Sequence, residues 1–266
     1  MNAGTCSSRS YIQPQGIPAV ERALKLLELS ASSNVGFTLS EVGEALGIAK
    51  SSSHRLIYTL LSHGYLQRTQ NERRYILGTK ARDLASITDA DLQLGALCAP
   101  FAEELSRRVG LTVLMGIRRG PEGVVIFKAN SPMDEYPGAW IGHHFDLHCT
   151  AMGKALIAYL PIRELKEIFL HASLVPYTPF TLCSRKDLSA NLAEVRARGF
   201  SLNTEESAIG GRGLAAPILN HIDRVVASIC VRGSTAVFTA NRVASCGKEV
   251  ISTATRISRE LLEAMP

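Results

Sequence analysis

Hydrophobic positions recur at helical spacing from Pro18 onward. The segment PAVERALKLLELSA (18–31) carries apolar side chains at 20, 23, 24, 27 and 31, the stripe of an amphipathic helix with Pro18 in its first turn. SSNVGFTL interrupts the pattern, and SEVGEALG (40–47) resumes it over a shorter span, with Ser40 as the N-cap candidate and Gly47 as the stop. IAKSSSHRLIYTLLSHG predicts a third helix over about 50–62, ended by Gly64. Two short helices joined by a tight glycine-containing turn form a helix-turn-helix pattern. In GYLQRTQNERRYILG two strand-like runs flank the polar turn TQNE, so a basic hairpin, a wing, follows the third helix directly.

Beyond Thr79 the texture changes. A linker helix is expected to residue 94 or 95 and a second helix from 96 to 109, with Gly95 as the break. LTVLMGIRRG and GVVIFKAN read as a hairpin around GPEG, and GAWIGHHFDLH as a third extended segment. TAMGKALIAYL and RELKEIFLHA are helices around Pro161, and SRKDLSANLAEVRARG is another, stopped by Gly199. FSLNTEES, GLAAPILN and RVVASICVRG are three further strands, and a terminal helix is expected from about Phe238 to Ala264. Hairpins, a central helical excursion and a closing helix describe an α+β domain built on an antiparallel sheet. The expected organisation is a polar tail over 1–16, a winged helix-turn-helix over 17–78, a linker helix over 79–95 and a second domain over 96–266.

The third helix has two faces. At the helical period Leu56, Ile57 and Leu60 share one side with Ser53, whose hydroxyl is expected to bond back to a carbonyl one turn earlier. The other side carries Ser51, Arg55 and Tyr58, flanked by Ser52, His54 and Thr59. Two explanations offer themselves for serines at this helix start: capping, or an anion partner. Short hydroxyls, free backbone N–H groups and the positive helix end, beside Lys50 and Arg55, suit a phosphate. Arg55 is long enough to address a base edge, most often guanine. Charge agrees with this: seven basic residues and one acid between 46 and 82 give a local +6, whereas the whole chain is only +5. Such a patch is the footprint of a nucleic-acid surface, or else a solvated basic face. Arg73 and Arg74 of the wing are candidates for phosphate or minor-groove contact.

Composition narrows the remaining classes. With 20% charged and 46% hydrophobic residues the chain is globular in type rather than disordered. No run approaches the roughly eighteen apolar residues of a membrane span, and MNAGTCSSRSYIQPQG lacks the apolar segment of a secretory signal, so a cytoplasmic location is expected. Six scattered cysteines without a CxxC pair read as free thiols. HHFDLHC (143–149) does not have the spacing of a structural zinc site, and no metal or cofactor is expected. The rival class, an enzyme acting on a small carboxylic acid with a basic accessory domain, finds no G-x-S-x-G, no H-E-x-x-H and no complete phosphate loop around Gly153-Lys154.

Several segments, in order, resemble the IclR-type transcriptional regulators: VERALKLLELSAS, FTLSEVGEALGIAKSSSHRLIYTLLSHGYL, RRYILG, LHCTAMGKALIAYLP, RARGFSLNTEES and GLAAPI. The resemblance runs from about Ile17 to the C-terminus. It implies a winged helix-turn-helix joined to a GAF-like effector domain, working as dimers or tetramers on double-stranded operator DNA, commonly beside catabolic operons. It also implies an effector pocket, carried over here to Ala151, Met152, Asn203, Gly213, Cys230 and Arg232. Asn203 stands where the family often has an acid, Gly213 where it often has a cysteine, and Cys230 and Arg232 where it often has serines. Cys230 and Arg232, two apart on a strand, share a face. Arg232 is therefore either a clamp for a carboxylate effector, a small aromatic or dicarboxylic acid, or a strand-end residue that is solvated or paired with Glu205 or Glu206. Met152 and Cys230 are read equally as ligand contacts or as simple packing.

Overall fold

A computed structural model describes residues 16–33, 35–69, 74–131, 138–171 and 174–264, and the chain divides into two compact units, 1–84 and 85–266. The expected tail, 1–16, lies almost wholly outside the described residues.

The first unit holds α1 (Pro18–Ala31), α2 (Leu39–Leu46), α3 (Lys50–Ser62), β1 (Leu66–Arg68) and β2 (Tyr75–Leu77). Its core is Leu26, Val42, Ile57, Leu60 and Leu66. Each such aliphatic side chain, once removed from water, contributes about 1.5–3 kcal/mol. The buried face of α1 differs from the one expected: Leu26 and Ser30 are buried, whereas Val20 and Leu24 are half exposed. The stripe is thus 23, 26, 27 and 30, because Leu26 is the residue that meets the other helices. Thr38, not Ser40, caps α2: its hydroxyl accepts from Glu41 N (3.3 Å) while Glu41 Oε2 accepts from Thr38 N (2.8 Å). This reciprocal pair satisfies two orphan donors of the first turn. The wing strands pair antiparallel, Leu66 opposite Leu77 and Arg68 opposite Tyr75.

The linker expected over 79–95 is two elements. A short helix α4 (Thr79–Ala85) falls at the boundary between the units, and α5 (Asp89–Val109) runs through Gly95 without a break. Thr88 and Asp91 form a capping box at the start of α5. Gly95 serves contact rather than interruption: a Cβ there would lie 3.1 Å from the carbonyl oxygen of Ile126.

The second unit is built on six antiparallel strands: β3 (Thr112–Arg119), β4 (Glu122–Ala129), β5 (His144–Asp146), β6 (Ser201–Thr204), β7 (Gly211–Leu219) and β8 (Val225–Ser234). Their spatial order is β5-β4-β3-β8-β7-β6, so β5 and β6 are the edges. The extended segment expected over GAWIGHHFDLH is reduced to β5. Strand alternation decides which residues face which layer. Val113, Met115, Leu214, Ala216, Ile229 and Val231 face α5 and α9 (Val243–Ala264). Leu114, Val125, Ala215 and Cys230 face α6 (Ala151–Ile157), α7 (Ile162–His171) and α8 (Arg185–Arg198). The terminal helix starts later than expected, because Phe238 is fully buried in the first of these layers and a 3-10 turn, Ala240–Arg242, intervenes. Among the described residues no helix is long and apolar enough to cross a membrane.

Candidate functional site

The exposed face of α3 has the composition of the sequence reading. Lys50, Ser51, Ser52, His54, Arg55 and Tyr58 are all exposed, while Ser53, Ile57 and Leu60 are buried. Ser53 Oγ donates to Ala49 O at 3.2 Å, the back-bond expected of the one serine on the inner face. The serines do not cap: the N-cap position is Ala49 and no side chain bonds there. The first-turn N–H groups of α3 thus carry no side-chain cap beside two outward hydroxyls and two cationic side chains, a geometry that suits a phosphate.

The wing needs correction. Arg74 does not extend from the surface. Its guanidinium donates to Gly36 O (2.8 Å) and pairs with Glu41, at 3.2 and 3.3 Å to the two carboxylate oxygens. Arg74 therefore braces the capping box of α2, and the bond from Thr38 N, helped by this pairing, holds the Glu41 carboxyl below its ordinary value. Arg73 lies outside the described residues. On the wing, Arg68 is an exposed cation, its guanidinium 5.9 Å from the Tyr75 ring centre. The T-x-x-E spacing of Thr38 and Glu41 was the available signal for the Glu41 role.

In the second unit all six residues carried over for the effector pocket, Ala151, Met152, Asn203, Gly213, Cys230 and Arg232, line one cavity of about 490 Å³. Strand register brings them together: Gly213 lies opposite Arg232, and Ala215 opposite Cys230. Cys230 and Arg232 do share the cavity face, with Cys230 buried and Arg232 half-buried. Arg212, one residue off that alternation, also lines the cavity but sends its guanidinium to Phe238 O at 2.6 Å. The start of α6 is fixed by Thr150, whose hydroxyl accepts from Gly153 N (3.0 Å) and donates to Asp146 O (2.6 Å). Gly153 is obligatory there, since a Cβ would meet Leu147 Cα at 2.4 Å. This close approach, not a phosphate loop, accounts for the Gly-Lys pair.

The amide of Asn203 is not idle. Its Oδ1 accepts from Glu206 N (2.8 Å) and its Nδ2 donates to Ser207 Oγ (2.9 Å), so it holds the loop after β6. The two acids considered for Arg232 are engaged elsewhere. Glu205 Oε1 accepts from Gly210 N, and Glu206 Oε1 lies 2.5 Å from Lys154 Nζ. Lys154 is fully buried and also donates to Leu202 O at 2.7 Å. Burial pushes the lysine below and Glu206 above its ordinary value, and their mutual attraction opposes both shifts.

Of HHFDLHC, His144 Nδ1 lies 2.8 Å from Glu122 Oε2 and His148 Nε2 3.1 Å from Val175 O, while Asp146 and Cys149 line the cavity. Asp146 Oδ2 accepts from the hydroxyl of Tyr177, another lining residue, at 2.7 Å. Sequence reasoning missed Tyr177, Asp146 and Lys154; each owes its place to a contact with a distant segment. Burial pushes the Cys149 and Cys230 thiols up to about 12, which keeps them protonated while they stay buried.

Comparison with known proteins assigns these two units. The IclR helix-turn-helix domain matches residues 19–70, and the family described as Bacterial transcriptional regulator IclR C-terminal matches residues 87–259. The HTH-type transcriptional regulator XynR of Escherichia coli is 34% identical over 80% of this chain and 84% of its own. The crystal structure of the Thermotoga maritima IclR superposes with a TM-score of 0.66 at 26% identity, over 91% of this chain and 98% of that one. An IclR homolog from Microbacterium hydrocarbonoxydans, complexed with 4-hydroxybenzoate, has the same fold, with a TM-score of 0.62 at 19% identity over 91% and 98% of the two chains. With an exposed basic recognition helix in one unit, a lined cavity in the other, and these matches across both, the chain belongs to the IclR family of bacterial transcriptional regulators.

Proposed function

We propose that α3 reads operator DNA through Arg55, that the cavity binds a small organic monocarboxylate, and that its occupancy changes operator binding. The observation that carries the ligand class is Arg232 on the cavity wall, beside apolar groups such as Leu114, Val125 and Met152 and a second cation, Arg212, whose guanidinium is turned to Phe238 O. A ligand carboxylate offers a guanidinium a planar, bidentate partner. Asp146, which also lines the cavity, disfavours a second ligand carboxylate beside it, so a monoacid fits better than a diacid. Met152 supplies an adaptable apolar surface, which suits an aromatic ring. The Microbacterium homolog's 4-hydroxybenzoate is a ligand of this type, but at that identity the likeness is one of fold, and the cavity's own residues carry the reading.

Acting as a pair, two such chains present recognition helices to half-sites about one DNA turn apart. A ligand that binds one arrangement of the pair better than another shifts the population between them, and that difference is the regulatory signal. The genes so controlled are those that degrade the acid.

The test is calorimetric titration with benzoate, 4-hydroxybenzoate, short aliphatic acids and neutral sugars on the parent and on Arg232→Ala. An acid is expected to bind the parent. The variant is expected to keep its fold and DNA binding but to lose at least about tenfold in affinity, as for a charge-assisted hydrogen bond. Binding of neutral compounds alone, or equal affinity in the variant, overturns the clamp.

A further inference from the structure

Tyr177 and Thr178 are neighbours in sequence, with Cα atoms about 3.8 Å apart. They bond to opposite edges of the sheet. The Tyr177 hydroxyl donates to Asp146 at the end of edge strand β5, and the Thr178 hydroxyl donates to Glu205 O, just after edge strand β6, at 2.7 Å. In a flat six-stranded sheet the two edges would stand about 24 Å apart, five spacings of about 4.8 Å. Two adjacent residues would span that distance only with both side chains fully extended in opposite directions; with the sheet curled its edges approach, and the segment 174–181 crosses between them. Further bonds fix it on both sides. Val175 O faces His148 Nε2 at 3.1 Å, and Thr181 Oγ1 donates to Glu206 O at 2.6 Å. Glu205, at the second anchor, sits in the left-handed region at φ 61, a conformation that surrounding bonds must hold in place.

The location matters because Tyr177 and Asp146 both line the effector cavity, as do Ser207 and Ala208 of the loop that the strap grips. Parting the strap from one of its anchors would widen the approach to the cavity between the sheet edges. The anchors differ in strength of attachment. On the β6 side the strap makes bonds from both Thr178 and Thr181, and Lys154 pins the gripped loop from beneath through Glu206. On the β5 side the strap is held by the contact of Val175 O with the buried His148 and by a bond from a half-exposed tyrosine to a part-exposed carboxylate, the second being the one open to water. The hydrogen bond to Asp146 also holds the Tyr177 phenol up at about 12, so the phenol remains the donor across the ordinary pH range.

We propose that residues 174–181 are a strap gating the effector cavity, hinged on the β6–β7 loop and latched by the Tyr177–Asp146 hydrogen bond. Its significance rests on the cavity being the ligand site, but its test needs no ligand. Two buried cysteines, Cys149 and Cys230, line the cavity, and two others, Cys98 and Cys246, are buried in the opposite layer between sheet and helices. A thiol reagent reaches the first pair when the strap opens and the second only when the core does. The experiment is labelling of the full chain with iodoacetamide, read at each cysteine by peptide mass mapping.

Tyr177→Phe, which removes only the hydroxyl, is expected to quicken labelling of Cys149 and Cys230 by about five- to tenfold, as for loss of one hydrogen bond, with Cys98 and Cys246 unchanged. Asp146→Asn retains an acceptor and is expected to give a smaller increase at the same two thiols. Thr178→Val, on the hinge side, is expected to act in the same direction. Unchanged labelling in Tyr177→Phe overturns the latch. Equal quickening of all four thiols overturns it too, since the opening would then be global. Titration with acids, run separately, decides the ligand reading on its own.

Discussion

The outward face of α3 and the wall of the cavity, the two surfaces proposed to carry function, are both rich in polar groups, yet they are built in opposite ways. On α3 the polar side chains leave one short helix and stand in water, with Lys50, Ser51, Ser52, His54, Arg55 and Tyr58 all exposed. Around the cavity the polar groups answer one another: Asn203 to Glu206 N and Ser207, Tyr177 to Asp146, and Lys154 to Glu206. The difference follows from solvation. An exposed donor is satisfied by water until its partner arrives and needs nothing from the rest of the chain. A buried donor without a partner costs a desolvation penalty, so most polar groups around the cavity pair with one another, His144 Nε2 and Arg212 Nε being exceptions. The outward face of α3 is therefore carried by a single element, while the cavity takes contributions from all six strands β3 to β8, from α6 and from loops.

The sharpest way to break this contrast is at the buried pair. Lys154→Met leaves Glu206 as a buried, unpaired carboxylate, and is expected to lower the stability of the effector unit by about 3–5 kcal/mol. Lys154→Met combined with Glu206→Leu is expected to recover most of that loss, because a packed apolar pair replaces the ionic one. Urea denaturation of the parent, single and double variants measures both. A single variant as stable as the parent would mean that the cavity's polar groups are not mutually required.

On the other side of the contrast, Arg55→Ala is expected to weaken specific DNA binding by about 1–3 kcal/mol and to relax preference at one base pair per half-site, with the denaturation midpoint unchanged. Binding of specific and random duplexes by parent and variant decides it. Equal affinities would remove Arg55 from base recognition, and a loss of stability would show that this face is not independent of the fold. The smallest effects concern backbone contacts and the wing. Ser51→Ala and Ser52→Ala are expected to weaken all sequences evenly and by less than Arg55→Ala, since phosphate contacts position without specifying. Arg74→Ala is expected to leave the salt slope of DNA binding unchanged, where loss of a phosphate contact lowers it by about one, and to cost a small part of thermal stability through Glu41 and the α2 cap. A lowered slope would return Arg74 to the DNA.

The same divide governs how far the sequence could be read. The three helices of the first unit, the wing and the two faces of α3 follow from local periodicity and turn chemistry, and Ser53 even announces its back-bond by sitting on the apolar side. Where the reading slipped, a contact outside the local window decided the matter. Val20 and Leu24 fit the stripe of α1 as well as Leu26 does, and only packing against α2 and α3 selected Leu26. Gly95 looks like a break until β4 passes beneath it. Arg74 looks like a wing cation until Glu41, 33 residues away, takes it.

For the cavity, motif resemblance located Ala151, Met152, Asn203, Gly213, Cys230 and Arg232, and strand alternation alone placed Cys230 and Arg232 on a common face. The sequence by itself thus determined the element types, the two-unit order and the chemistry offered outward by α3, because these depend on residues within a few positions of one another. Only the tertiary structure decided which polar groups are already engaged, that Tyr177 and Asp146 meet, and that Lys154 is buried against Glu206 52 residues away. Those outcomes depend on where a curled sheet brings its two edges, and the burial that makes such pairs necessary exists only once the layers have closed over them.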